Sequence, residues 1–256
     1  MTTEQDLQNS VSERFGAQAE AYVRSAVHAQ GPDLAALDAL LAASPGGRVL
    51  DLGTGGGHAA LTAARHAGEV VALDLSEAML AAAAAEAARR GLGNLRFRQG
   101  SVEALPFDAA AFDWVISRYS AHHWPRLDLA LAEARRVIRP GGRAVFMDIV
   151  APDSPLLDTW LQGLELLRDP GHVRNRGRGE WRQALTAAGF RVDEAREHKV
   201  ALAFAAWVAR IGTPAPLVRA LRVLQQAAPR EVAEALALQA DGSFQIDSLT
   251  LTATAV

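Results

Sequence analysis

Asp51-Leu52-Gly53-Thr54-Gly55-Gly56-Gly57 places a carboxylate immediately ahead of a run of glycines. Glycine lets a backbone come close to a ligand and adopt positive φ. If a helix opens behind the loop, its free N–H groups and positive dipole end favour an anion, either a phosphate or the carboxylate of an amino acid. Asp51 sits where a carboxylate would crowd a pyrophosphate but can hold an ammonium group. Asp74 follows 23 positions after Asp51, at the end of a second apolar run, where a carboxylate can accept both hydroxyls of a ribose. A third group, Arg118-Tyr119-Ser120-Ala121-His122-His123, offers a fixed cation and two imidazoles, the natural bases near neutral pH. Each feature also has a purely structural use. The glycines can form a tight turn, Asp74 can cap the next helix, and the histidines can cap a helix or pack against Trp124.

These residues need a sheet edge to hold them. Residues 48–52, 69–75, 95–99, 112–117 and 143–150 read as strands. Helical spacing covers 58–66, 76–90 and 127–138 between them. Strands alternating with helices imply a parallel, doubly wound sheet whose carboxyl edge carries the ligand. Ser76, with Glu77 behind it, predicts a helix N-terminus, and Asp33 predicts another for a helix reaching Ala43. Pro140-Gly141-Gly142 predicts the turn into the fifth strand. Beyond Val150 the reading is two helices around 156–167 and 179–188, with a polar loop at 169–179 between them. A strand at 190–200, two or three helices within 201–240 and a terminal strand from Phe244 follow. The expected organisation is an N-terminal helical cap segment over 1–44, a cofactor-binding core over 45–150, and a helical insertion with sheet-completing strands over 151–256.

Composition narrows the classes. The chain has 256 residues, half of them hydrophobic, and a formal net charge of −3. No basic tract is present to neutralise phosphates, so a nucleic-acid partner is not expected. The absence of cysteine excludes disulfides, thiolate metal sites and cysteine nucleophiles. No apolar stretch reaches the length of a membrane span, and the polar, acidic start lacks the pattern of a secretory signal, so a cytoplasmic location is expected. No carboxylate near the histidines has metal-ligand spacing, and no metal is expected.

The order of these motifs, with Gly100-Ser101-Val102-Glu103-Ala104-Leu105-Pro106-Phe107 and Phe112-Asp113-Trp114-Val115-Ile116-Ser117, resembles the class I S-adenosylmethionine-dependent methyltransferases. It is similar in particular to the type-11 group that includes the ubiquinone/menaquinone C-methyltransferases. The resemblance covers residues 49–150. It extends to Phe15-Gly16, Tyr22 and Val27-His28 before that core, and to Asp169-Pro170-Gly171-His172-Val173-Arg174 beyond it. It implies a Rossmann-like α/β fold, with a doubly wound seven-stranded sheet, its last strand antiparallel, and a helical cap. It implies S-adenosylmethionine as cofactor. Gly53, Thr54 and Gly55 would face the methionine part, Asp74 the ribose, and Leu75, Ser101 and Val102 the adenine; Asp51 is the cofactor-binding candidate for the ammonium. Arg118 would line the methyl-donor pocket and Tyr22 would fold over the cofactor. Many relatives carry aspartate at the position of Ser101, and serine accepts the adenine amino group more weakly. His122 and His123 are the candidate catalytic residues, and a small-molecule methyl acceptor is the expected partner. The other classes left open are an NAD(P)-dependent oxidoreductase and a cofactor-binding protein without activity.

Overall fold

The computed structural model describes residues 3–16, 18–19 and 31–256. Tyr22, Val27 and His28 lie outside the described residues. The first strands form by the logic read from sequence. Short apolar runs become β1 (Arg48–Leu52), β2 (Glu69–Asp74), β3 (Leu95–Gln99) and β4 (Phe112–Arg118). They pair in parallel in the order β3-β2-β1-β4. β5 (Ile138–Ala151) extends this parallel set beside β4. It begins five residues earlier than the expected residue 143, because Ile138 already pairs with Phe112 and the Pro-Gly-Gly turn forms an irregularity inside the pairing.

Helices pack on both faces. α1 (Thr3–Gly16), α2 (Pro32–Ala42), α3 (His58–Ala63), α4 (Glu77–Arg89) and α5 (Leu127–Val137) belong to the first half of the fold. Ser76 caps α4 as expected, its hydroxyl accepting from the Met79 amide at 3.4 Å. Two expectations need correction. α3 stops at Ala63 rather than His66. Asp33 does not cap α2: Gly31 holds that position, and the Asp33 carboxylate turns inward and is buried. The reason is a buried cation, described below, that takes the carboxylate away from the helix amides.

The second half completes the sheet. β7 (Phe190–Leu202) and β8 (Phe244–Ala255) join it, with β8 antiparallel to both β5 and β7. The seven strands on the sheet path run β3-β2-β1-β4-β5-β8-β7. An eighth, the two-residue β6 (Arg176–Gly177), pairs with the end of β5 inside the segment expected to be loop. α6 (Pro155–Arg168), α7 (Arg178–Ala187), α8 (Phe204–Arg210), α9 (Ala215–Gln226) and α10 (Arg230–Ala235) complete the chain. Two hydrophobic clusters cover the two faces of the central strands. A third lies among α6, α8, α9, α10 and the ends of β5, β7 and β8. Among the described residues no helix is long and apolar enough to cross a membrane.

Candidate active site

A cleft of about 1030 Å³, its open mouth included, lies at the carboxyl ends of β1, β2 and β4. The register explains why both candidate carboxylates reach it. Leu52 pairs with Leu73, so Asp51 and Asp74 flank one point on the sheet edge. Between them the glycine loop doubles back, and its Thr54 amide is tied to the Leu73 carbonyl at 2.9 Å. Gly53 has φ +66°, and a Cβ there would lie 1.9 Å from the Ser120 hydroxyl, so a side chain would drive the β4 loop away. Gly57, at φ +83°, then turns the chain into α3.

Asp51 is buried. Its Oδ2 accepts from the Thr54 hydroxyl at 2.7 Å and the Ala60 amide at 3.1 Å. Its Oδ1 is buried with no hydrogen-bond partner. Burial pushes its pKa up to about 7, and nearby Asp74 adds to this, against the hydrogen bonds from Thr54 and Ala60 and the charge of Arg118. A lone carboxylate oxygen held out of water needs a donor. Asp74 accepts from the Gly55 amide at 2.8 Å and the Ser76 amide at 2.9 Å, so it ties the loop to the start of α4. Burial raises its pKa despite those bonds.

Leu75, Ser101 and Val102 line the same cleft. The Ser101 hydroxyl accepts from the Glu103 amide at 3.2 Å and from the Gln8 side chain at 3.4 Å. Gln8, Val11, Ser12 and Phe15 of α1 also line it, and the Ser12 hydroxyl donates to the Leu75 carbonyl at 3.3 Å. Arg118 is buried at the end of β4. Its Nε donates to Asp33 Oδ2 at 2.5 Å and its guanidinium lies 4.5 Å from the Tyr119 ring centroid. Tyr119 has φ +51°, an uncommon conformation for an aromatic residue, where the chain leaves β4 for the cleft.

The two histidines stand on a one-turn 3-10 helix, Ala121–His123, and only one of them reaches the larger cleft. His123 lines the cofactor-sized cleft. Its Nδ1 donates to the Gly171 carbonyl at 3.0 Å, and Phe15 meets its ring edge-on at 4.9 Å. Burial and the neighbouring His122 lower its pKa to about 4, so the ring is neutral at physiological pH. His122 instead lines an adjoining cavity of about 520 Å³, mouth included, which shares Phe15, Tyr119 and His123 with the first. Its Nδ1 bonds Asp148 Oδ1 at 2.6 Å, while its backbone amide donates to Oδ2 at 3.0 Å.

The polar loop at 169–179 stays outside both cavities with its charged side chains. His172 and Arg174 line neither cavity. His172 bonds Gln162 at 2.8 Å, and Arg174 pairs with Asp158 and Glu180. The loop acts through its backbone, since the Val173 and Arg174 amides both donate to the His122 carbonyl. Sequence reasoning singled out neither Asp148 nor the inward role of Asp33. Asp148 carried a signal, an acid inside an apolar strand run, Phe146-Met147-Asp148-Ile149-Val150. Asp33 read as an ordinary cap.

A glycine loop between the buried Asp51 and the half-buried Asp74 at the edge of a doubly wound sheet could hold a cofactor with both an amino-acid and a nucleoside part. The unpartnered Asp51 oxygen fits an ammonium and Asp74 fits a ribose. Comparison with known proteins agrees. Residues 50–146 match the methyltransferase domain family. The chain is 48% identical over 191 residues to the YafE protein of Escherichia coli K12, covering 75% of this chain and 92% of that one. It is 35% identical over 201 residues to the YcgJ methyltransferase of Bacillus subtilis, covering 78% and 79%. The crystal structure of YcgJ superposes with a TM-score of 0.82 over 87% of this chain and 97% of that one. At 18% identity, the geranyl diphosphate C-methyltransferase of Streptomyces coelicolor, solved with S-adenosyl-L-homocysteine, shares the fold with a TM-score of 0.58, covering 87% and 77%. The chain belongs to the S-adenosylmethionine-dependent methyltransferase family, and S-adenosylmethionine is its cofactor.

Proposed function

We propose that the chain methylates a small organic acceptor, with the cleft between Asp51 and Asp74 holding the methyl donor. The observation that carries this reading is the buried, unpartnered Oδ1 of Asp51 beside the glycine loop. A donor ammonium would complete its hydrogen bonding, and the ribose hydroxyls would add to the two amides on Asp74. Leu75, Val102 and Ser101 would bound the adenine. Bound S-adenosylmethionine supplies an activated methyl group on a sulfonium, so the protein mainly has to align the acceptor and exclude water.

The chain's own residues suit that task. Asp33 fixes Arg118, and Arg118 with the Tyr119 ring fixes the wall where the two cavities meet. α1 lies across the open side, with Phe15 over His123. In this reading residues 1–44 cover the site, 45–150 bind the donor and 151–256 shape the acceptor side. A net charge of −3 without a basic tract suits a small acceptor rather than a nucleic acid. A chain without cysteine is compatible with a cytoplasmic location. The test is formation of S-adenosylhomocysteine across a panel of small acceptors. Turnover of a nicotinamide cofactor without it would favour the oxidoreductase reading instead.

A further inference from the structure

The cavity behind His123 has a composition of its own. Ile149, Leu202, Trp207 and Ile246 give it apolar walls from β5, β7, α8 and β8. His122, Glu165, Arg168 and Arg210 give it a charged and polar lining. Arg168 is buried and fixed, its Nε donating to the Trp207 carbonyl at 3.1 Å and its guanidinium lying 5.1 Å from the Trp207 ring centroid. Glu165 stands 3.7 Å from it. The cavity shares Phe15, Tyr119 and His123 with the larger cleft.

We propose that this cavity is the acceptor site, and that it takes a compact apolar molecule carrying a weakly acidic hydroxyl, a phenol or an enol, which His122 deprotonates while Asp148 holds its ring. The proposal rests on the methyltransferase reading above. Geometry carries it. Asp148 grips both the Nδ1 and the backbone amide of His122, which fixes the tautomer and leaves Nε2 as the basic nitrogen. Asp148 is a positioning residue. His123 is the weaker base of the two, since its Nδ1 donates to the neutral Gly171 carbonyl rather than to a carboxylate, and burial with the neighbouring His122 lowers its pKa to about 4.

The groups facing His122 come from four directions. Asp148 lies on β5, Glu165 and Arg168 on α6, Asp169 just beyond α6, and His123 and His172 stack nearby at ring distances of 4.2 and 5.8 Å. Burial alone would lower the His122 pKa. The charge and hydrogen bond of Asp148, with Glu165 and Asp169, outweigh it, and the net direction is upward. His122 is therefore a stronger base than a free imidazole, and the cation it becomes is paired with Asp148. In the step itself the acceptor O–H bond breaks, its proton going to His122 Nε2 and its electron pair staying on the acceptor. That pair forms the bond to the methyl carbon as the methyl–sulfur bond breaks and its electrons stay on sulfur, leaving a thioether. The proton passes from His122 to solvent with product release.

The test titrates 4-nitrophenol into the full chain saturated with S-adenosylhomocysteine and follows the visible phenolate band, with 4-nitroanisole as the control lacking the acidic hydroxyl. Affinity for S-adenosylhomocysteine is measured separately by calorimetry. The expected result is saturable binding with a larger phenolate fraction than in free solution at the same pH, and weaker binding of the anisole. His122→Gln should abolish the excess phenolate and weaken binding about tenfold. Ile246→Trp, which fills the cavity, should block both probes and leave S-adenosylhomocysteine affinity unchanged. An NMR titration of the His122 ring should give a midpoint above that of a free imidazole, falling in Asp148→Asn; a merely structural Asp148 would leave the midpoint in place. Failure of 4-nitrophenol to bind, equal ionisation in His122→Gln, or undiminished binding in Ile246→Trp would overturn the inference. Failure of S-adenosylhomocysteine itself to bind would instead overturn the reading beneath it.

Discussion

Asp51 and Asp74 end neighbouring strands and line one cleft, but they differ in what they lack. Asp74 already accepts two amides, whereas Asp51 keeps one oxygen unbonded in a buried site. Asp74→Ala should weaken S-adenosylhomocysteine binding by about 1.5–3 kcal/mol, the range for hydrogen bonds to a charged group, as calorimetry would show. For Asp51 the sign follows from its raised pKa. With a folded pKa of about 7 against 3.8 for an unperturbed group, the ligand-free protein holds a proton that the unfolded chain has lost. Its contribution to stability is therefore present at low pH and fades as pH rises from 3.8 toward 7. A ligand ammonium reverses this by favouring the carboxylate, so affinity should rise with pH up to and through about 7. Thermal unfolding and calorimetry of the wild type against Asp51→Asn across that window check both, because the difference isolates this carboxyl from the histidines. The Arg118–Asp33 pair is nearly water-free, with side chains 4% and 3% exposed. Arg118→Met should cost about 3–5 kcal/mol in urea unfolding, since it leaves a buried carboxylate uncompensated, and Asp33→Asn in the same chain should recover part of that.

At the scale of elements, the informative sequence signals were local ones. A glycine run after an apolar strand, serine ahead of α4 and alternating strands and helices each rest on neighbouring residues, and the structure contains them. Signals that failed depend on partners far along the chain. Asp33 read as a cap because nothing nearby shows Arg118, 85 positions on. β6 was invisible because a two-residue pairing to Val150 and Ala151 leaves no periodicity. His122 and His123 were both candidates from sequence, and the 3-10 turn with the two anchors, Asp148 and Gly171, brings only His123 to the larger cleft while both line the adjoining cavity. The N-terminal segment was legible as a helical cap, and the structure adds where α1 rests. It touches Leu75, Ser101 and Glu103 through Ser12 and Gln8, and Asp169 through Arg14. If α1 closes over the donor, its amides should gain protection from hydrogen exchange when S-adenosylhomocysteine binds. Deleting residues 1–30 should leave a folded core with weakened affinity. Unchanged exchange together with normal binding by the truncated chain would make α1 a structural addition only.

At the scale of the molecule, one sheet lines two cavities. Its parallel half, β3-β2-β1-β4, presents the carboxylates and glycine loop. Its antiparallel addition, β8 and β7 beside β5, brings Ile246, Val200 and Leu202 against α6 and α8 to wall the second cavity. Calorimetric titration of the full chain with S-adenosylmethionine and with NADH decides whether the first cleft takes a sulfonium amino-acid nucleoside or a dinucleotide. Saturable, one-to-one binding of S-adenosylmethionine that weakens in both Asp51→Asn and Asp74→Ala, with no comparable heat from NADH, is expected. Tight NADH binding with none for S-adenosylmethionine would contradict it.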